Sequence, residues 1–328
     1  MIKKIISIII LFFLMISFSQ TLVLGSYLFG KDNISTMTKD IIASIFPYIY
    51  TYGFNSKIFY KGNYKSTDKI DVIIANHVST IDFIIMICII RMFDDRDFYF
   101  IFKNEVILYP AIGFILSSSK DIKIIKKLEH NKDNIINNIK NIKNGVIVIF
   151  PEGTRISKEK ILLSQKFSKD NKLNTFNNVL YPRMKGLWTI CNTLNELNKL
   201  GNIIDITCFI ENFKNEEALM KQILSKELGN TYCTINSYKI PKKYIYDYEV
   251  FKKWILKIWI IKDEILNENT DDYKYTELIP TIKSYNYMML FVVATLFIYL
   301  SSHLYIYIPL SFILTYIISY IKYIKKIY

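Results

Sequence analysis

The chain of 328 residues is 51% hydrophobic, with a mean hydropathy of +0.20 and a formal net charge of +13. That length holds one large domain or two small ones together with membrane segments, and the apolar excess sits at the two ends, so a merely richer core does not explain it. The basic balance suits anionic lipid or anionic substrates; the lysines are scattered and no recognition motif accompanies them, which argues against nucleic acid as a partner.

Part of that lysine content belongs with heavy use of Ile, Asn and Tyr and few Gly and Pro, the pattern of an A+T-rich coding sequence. Cys88, Cys191, Cys208 and Cys233 are widely spaced in apolar surroundings, with no CxxC and no Cys/His cluster. Neither a metal site nor a disulfide framework is indicated, and the four read as buried free thiols.

From Ile5 to Phe29 no residue is charged, and Lys3 and Lys4 precede the run. A helix of that length covers a hydrocarbon core of ~30 Å with some tilt. A cleaved signal peptide would show an apolar core of only ~7–15 residues and a small-residue cleavage site. Residues 1–30 therefore read as an uncleaved transmembrane anchor. Residues 31–56 follow as an interfacial helix or linker, interrupted at Pro47.

Residues 57–285 read as an alternating α/β domain. Strands are predicted at Ile70–Ala75, Asp97–Lys103, Gly145–Phe150, Ile203–Ile210 and Tyr232–Tyr238. Several are near-continuous apolar runs, as in strands covered on both faces. A helix is predicted over Leu128–Asn144, with Leu128, Ile135, Ile136, Ile139 and Ile142 in one stripe and Gly145 as its C-cap. Lys158–Lys172 is either a surface excursion or a polar helix. A further helix is predicted from Tyr248 to about Leu266, with Trp254, Ile258 and Ile261 facing inward.

Residues 286–328 end the chain, and within them Tyr287–Ile321 carries no formal charge apart from His303. As one helix this run would reach ~50 Å, too long for a single ordinary span. Ser301, Ser302, His303 and Pro309 suggest a break, giving one kinked or two membrane helices before Lys322, Lys325 and Lys326.

Elimination narrows the chemistry: GxSxG, P-loop, GxGxxG and HExxH patterns are all missing. His130 falls on the polar side of a helix and His303 in the C-terminal break. His77 follows a buried strand, where open α/β sheets form their ligand crevice. On one helix, His77 and Asp82 would lie ~140° apart. With His77 in a loop and Asp82 in the first helical turn, the carboxylate can reach back to the imidazole. That contact would fix the tautomer and stabilise the imidazolium. Ser79-x-x-Asp82 is also a capping box, and capping alone is the plainer alternative.

The second constellation is Val146–Phe150 followed by Pro151-Glu152-Gly153-Thr154-Arg155. Gly153 permits close backbone approach, Arg155 offers a planar fork for phosphate, and Thr154 a hydroxyl. Glu152 reads as a partner for Arg155 or for a substrate hydroxyl. Taken alone, such a turn serves a structural role equally well.

Together, NHxxxxD at Asn76–Asp82 and FPEGTR at Phe150–Arg155 resemble the glycerolipid acyltransferase family. Asn178–Gly186, Ile204–Thr207 and the segment from Trp254 to Asp263 extend the likeness, in the last two toward eukaryotic 1-acylglycerol-3-phosphate and lysocardiolipin acyltransferases. One block departs: Asp121–Lys127 stands where the family shows a stretch ending in arginine, so Lys126 or Lys127 would replace it. The resemblance implies a mostly parallel central sheet flanked by helices, with membrane segments at both ends. It also implies acylation of lysophosphatidic acid from acyl-CoA, with His77 as general base and Asp82 orienting it. Glu152, Gly153, Thr154, Arg155, Arg183 and Lys126 or Lys127 would bind substrate. No cofactor or metal is expected beyond acyl-CoA as co-substrate. The expected partners are acyl-CoA, a lysophospholipid and membrane lipid, and the expected location is the endoplasmic reticulum membrane with the domain facing the cytosol. Another lysophospholipid or glycerol 3-phosphate is the alternative acceptor. A non-catalytic lipid-binding membrane protein is the reading from another class.

Overall fold

A computed structural model describes residues 54–103, 122–124, 132–213, 229–267 and 274–279, together with residues 47, 50 and 51. The expected anchor and C-terminal membrane helices lie outside these residues, as does most of the expected interfacial segment; of the latter, Tyr50 and Phe54 are buried in the domain core, with Tyr50 Oη 2.5 Å from Thr231 Oγ1. Among the described residues no helix is long and apolar enough to cross a membrane.

The strands are β1 (Ile58–Gly62), β2 (Ile70–Ala75), β3 (Phe98–Lys103), β4 (Ile122–Ile124), β5 (Gly145–Ile149), β6 (Leu200–Ile210), β7 (Thr231–Tyr238) and β8 (Thr276–Leu278). The helices are α1 (Asp82–Phe93), α2 (Lys132–Asn141), α3 (Lys158–Asp170), α4 (Met184–Glu196), α5 (Lys242–Ile245) and α6 (Tyr248–Ile265). Among the described residues these eight strands join one sheet in the order β4-β3-β5-β2-β6-β7-β1-β8. The β3–β4, β3–β5, β2–β5, β2–β6 and β1–β7 pairs are parallel, while β6–β7 and β1–β8 are antiparallel.

Alternation along the central strands builds two layers. Ile73, Ala75, Val146, Val148, Ile204 and Ile206 pack on one face with α1. Val72, Ile74, Ile147, Ile149 and Ile203 pack on the other with α2, α4 and α6. Strand β2 is therefore buried along its whole length, as its unbroken apolar run requires. At its start, Asp71 accepts from Thr67 N and Asn202 N at 2.9 and 2.6 Å and pairs with Arg96 at 2.6 Å. Arg96 also holds Asp94, and this network fixes the end of the sheet remote from His77.

Two helix readings change. Gly145 opens β5 with a φ of +128°, and a Cβ there would stand 2.3 Å from the Asp97 carbonyl oxygen. Helix α2 stops earlier, and the carbonyls of Lys140 and Ile142 accept from Lys199 Nζ at 2.9 and 2.8 Å instead. In α6, Ile261 is exposed, and Phe251, Ile255, Ile258, Trp259 and Lys262 form the inner face. Asp205 draws Lys262 inside, which rotates Ile261 outward. Lys158–Lys172 is mostly helix: Ser157 caps α3, accepting from Lys160 N.

Candidate active site

Strands β2 and β5 are adjacent and parallel, with Ile74 opposite Ile149. Their C-terminal ends therefore release Asn76-His77 and Phe150-Pro151-Glu152 side by side. The connection after β2 packs on one face through α1 and that after β5 on the other through α4. Divergence of that kind opens a crevice at the strand ends.

Asn76 fixes the first turn from below. Its buried side chain donates Nδ2–H to the Cys208 carbonyl and accepts the Cys208 amide, both at 2.8 Å, tying the end of β2 to β6. His77 follows outside the strand, with Nδ1 at 2.8 Å from Asp82 Oδ2. Asp82 is buried and opens α1, and its carboxylate also accepts from Ser79 N at 2.9 and 3.0 Å and from Ser79 Oγ at 2.8 Å. Ser79 Oγ accepts from Ile81 N at 3.1 Å. Asp82 thus ties the turn ahead of α1 and the imidazole at once. The expected capping box is only half formed: the N-cap is Ile81, which has no side-chain cap bond, and Ser79 Oγ accepts from Ile81 N and not from Asp82 N. The Phe150 ring stacks on the imidazole with centroids 4.6 Å apart. Nε2 has no hydrogen-bond partner among the described residues and is the nitrogen left to exchange a proton.

The second turn clasps the same histidine by its backbone. Ile156 N donates to the His77 carbonyl at 2.8 Å, and Glu152 Oε1 accepts the His77 amide at 3.4 Å. Glu152 is buried, and its hydrogen bond goes to His77 and not to Arg155. Burial pushes its carboxyl pKa up to about 8, against amide donors at His77 and Leu180 and the charge of Lys262. Its Oε2 has no partner among the described residues, so below that pH the group sits neutral behind His77.

Gly153 has a φ of +70°, and the Arg183 side chain lies over it, with Cδ 3.2 Å from where a Cβ would stand. Arg183 N donates to Pro151 O at 2.7 Å, which joins this turn to the start of α4. Thr154 Oγ1 accepts from Lys160 Nζ at 2.7 Å, and Lys160 also donates to Arg155 O at 3.0 Å. The guanidinium of Arg155 is exposed and unpartnered among the described residues, open to an anion. Arg183 is likewise exposed. Lys126 and Lys127 lie outside the described residues.

Beneath the site, Lys262 is fully buried, 2.7 Å from Asp205 Oδ1 and donating to Ile206 O at 2.7 Å and Thr207 Oγ1 at 3.1 Å. Its neighbour Asp263 accepts from Asn177 N and Asn178 N at 3.1 and 2.6 Å, fixing the segment that leads to Arg183. Lys160, Asn76 and Ile156 escape a residue-by-residue reading. Lys160 is one of many lysines, and the other two act through contacts invisible in spacing. Among the described residues no cluster of His, Cys, Asp and Glu could hold a metal ion.

Residues 57–195 match the Acyltransferase family model. The chain is 27% identical over 209 residues to lysophosphatidylinositol acyltransferase 10 of Caenorhabditis elegans, covering 60% of this chain and 52% of that protein. It is 23% identical to a probable 1-acyl-sn-glycerol-3-phosphate acyltransferase 5 of Arabidopsis thaliana (69% and 60% covered). It is 26% identical to lysocardiolipin acyltransferase 1 of Gallus gallus (65% and 57%). The alignments thus span little more than half the length of these curated relatives. The crystal structure of PlsC, the 1-acyl-sn-glycerophosphate (LPA) acyltransferase of Thermotoga maritima, superposes with a TM-score of 0.53 at 14% identity, covering 82% of this chain and 97% of that one. That likeness establishes the α/β fold with its mostly parallel sheet, and the resemblance read from the two motifs holds.

Proposed function

We propose that the acyltransferase-family domain at residues 57–195 and the strands that complete its sheet transfer an acyl group from acyl-CoA to the free hydroxyl of lysophosphatidic acid, giving phosphatidic acid. The observation that carries this reading is the His77–Asp82 contact of 2.8 Å at the mouth of the β2–β5 crevice. Asp82 holds Nδ1, and Nε2 takes the acceptor hydroxyl proton as the oxygen attacks the thioester carbonyl. The carbon–sulfur bond then breaks and the imidazolium returns the proton to the departing thiolate. No protein nucleophile enters the scheme, in keeping with four cysteines that are all buried and free. Arg155 receives the acceptor phosphate, with Arg183 adding charge across Gly153 and Lys160 steadying Thr154.

A second reading is the same chemistry on a different lysophospholipid, favoured by relatives named for lysophosphatidylinositol and lysocardiolipin. The apolar runs at residues 5–29 and 287–321 would hold the domain at a membrane, which we assign to the endoplasmic reticulum with the site toward cytosolic acyl-CoA. The test is a membrane assay with labelled oleoyl-CoA and a panel of lysophosphatidic acid, lysophosphatidylinositol, lysocardiolipin and glycerol 3-phosphate, wild type beside His77→Ala. The reading expects His77-dependent product with lysophosphatidic acid foremost. Preference for another acceptor would select the second reading, and no turnover with any acceptor would leave a lipid-binding protein.

A further inference from the structure

Helix α3 turns three large apolar side chains to solvent: Leu162, Leu163 and Phe167 are 66%, 58% and 51% exposed. The opposite side of the helix is already committed. Ser168 is buried, Ser164 Oγ accepts from Tyr181 N at 2.8 Å, and Gln165 Nε2 donates to Phe176 O at 2.9 Å. Those bonds fix the rotation of α3, so the three apolar side chains cannot turn into the core. The helix is also fastened to the site, because Lys160 holds Thr154 and the carbonyl of Arg155.

Charge identifies what this face meets. Lys158, Lys166, Lys169 and Lys172 are exposed on the same stretch, against exposed Glu159 and Asp170. Leu162 has Lys158 and Lys166 four residues to either side and Lys169 two turns on, while Leu163 and Phe167 adjoin at i,i+4. The long apolar runs at residues 5–29 and 287–321 contain no carboxylate. They could cover the leucines, but they offer nothing to the lysines. A phospholipid surface offers both an acyl boundary and a layer of phosphate, and lysine stems can lie along it with their ammonium groups at headgroup level.

We propose that the Leu162–Leu163–Phe167 face of α3 docks on an anionic phospholipid surface. Docking there holds the Thr154–Arg155 side of the His77 site at headgroup depth, where a lipid acceptor enters without crossing water. The docking itself needs no assumption about the reaction; its use for delivering the acceptor rests on the acyl-transfer reading. Each lysine near such a surface contributes about a fivefold factor in partitioning.

The test uses the full chain carrying Leu163→Cys or Phe167→Cys, with Lys242→Cys on α5 at the opposite end of the sheet as control. The four native cysteines are buried, so a fluorophore attaches selectively to the new thiol. In phosphatidylcholine vesicles containing phosphatidylglycerol and a doxyl-labelled lipid, quenching at positions 163 and 167 should exceed that at 242 severalfold. The difference should shrink when phosphatidylglycerol is omitted or salt is raised. Equal quenching at the three positions overturns the proposal, as does crosslinking of 163 or 167 to a second copy or to the chain's own ends in place of quenching. The double variant Leu163→Asp, Phe167→Asp should raise KM for a vesicle-borne acceptor severalfold and leave turnover of a water-soluble short-chain acceptor unchanged. If wild type turned over neither acceptor, the acyl-transfer reading would fail while the quenching result stood by itself.

Discussion

The carbonyl oxygen of His77 accepts the amide N–H of Ile156 at 2.8 Å, so the two motif-bearing turns are joined through their backbones. The imidazole is consequently located from both sides of the crevice. Asp82 and the start of α1 hold its ring, while Glu152, Ile156 and Phe150 hold its peptide and stacking face. A displacement of either turn moves Nε2 of His77 relative to Arg155.

His77→Ala should lower turnover by ~10²–10⁴ with folding and lipid association retained. Asp82→Ala should lose a comparable share of activity and, because it leaves the buried Ser79 amide and hydroxyl ahead of α1 without their acceptor, about 1–3 kcal/mol of stability in denaturant unfolding. Purified His77→Ala turning over at about half the wild-type rate would remove His77 from the role of base.

Glu152 predicts a pH dependence of stability. Its folded pKa of about 8 lies above the ordinary 4.5, so between these values the folded chain keeps a proton that the unfolded chain has released. The stabilisation is complete below the lower value and is lost as pH rises through the upper, at most about 1.4 kcal/mol per pH unit from this group. Glu152→Gln keeps an acceptor for the His77 amide and has no proton to lose. It should flatten the fall in Tm between about pH 5 and about pH 9 and retain most activity, whereas Glu152→Ala should lose activity throughout. A wild-type fall that Glu152→Gln leaves intact would mean another group carries it.

Asn76→Ala should destabilise the domain, because it strands both the amide and the carbonyl of Cys208 in the core, at about 1–3 kcal/mol per group. Asn76→Asp keeps an acceptor for the amide and leaves two oxygens facing each other, so it should be no better. Equilibrium unfolding of both variants checks this, and wild-type stability in Asn76→Ala would mean that water replaces the side chain.

Lys262→Ala should cost about 3–5 kcal/mol, since it leaves Asp205 charged and buried without its partner. Lys262→Met combined with Asp205→Asn removes both charges and should recover much of that loss. Because Lys262 also lowers the proton affinity of Glu152, the single variant should move the Glu152-dependent pH transition upward. Additive losses in the double-mutant cycle would show that the pair is not coupled.

Strands β2, β3, β5 and β6 are legible in the amino-acid sequence as apolar runs, because a segment covered on both faces cannot hide its composition. Strand β7 instead mixes Thr, Asn and Ser among its apolar residues and reads as a strand by β-propensity. Strands β4 and β8 have three residues each, too few to announce themselves, and β1 ends in Lys61-Gly62 and shows no unbroken apolar run. His77 and Asp82 were legible as a pair, since a loop histidine and a first-turn carboxylate are close in chain as well as in space. The rest of the site follows from contacts between distant parts of the chain. Glu152 reads as a ligand for arginine or substrate until burial turns it toward the His77 amide. Lys160 is one lysine among many until it meets Thr154, and Ile261 reads as core until Asp205 draws Lys262 inward in its place. The reason is physical: periodicity records how much apolar surface an element must bury, while the partner of a buried charge or a backbone amide is chosen by contacts between residues distant in sequence.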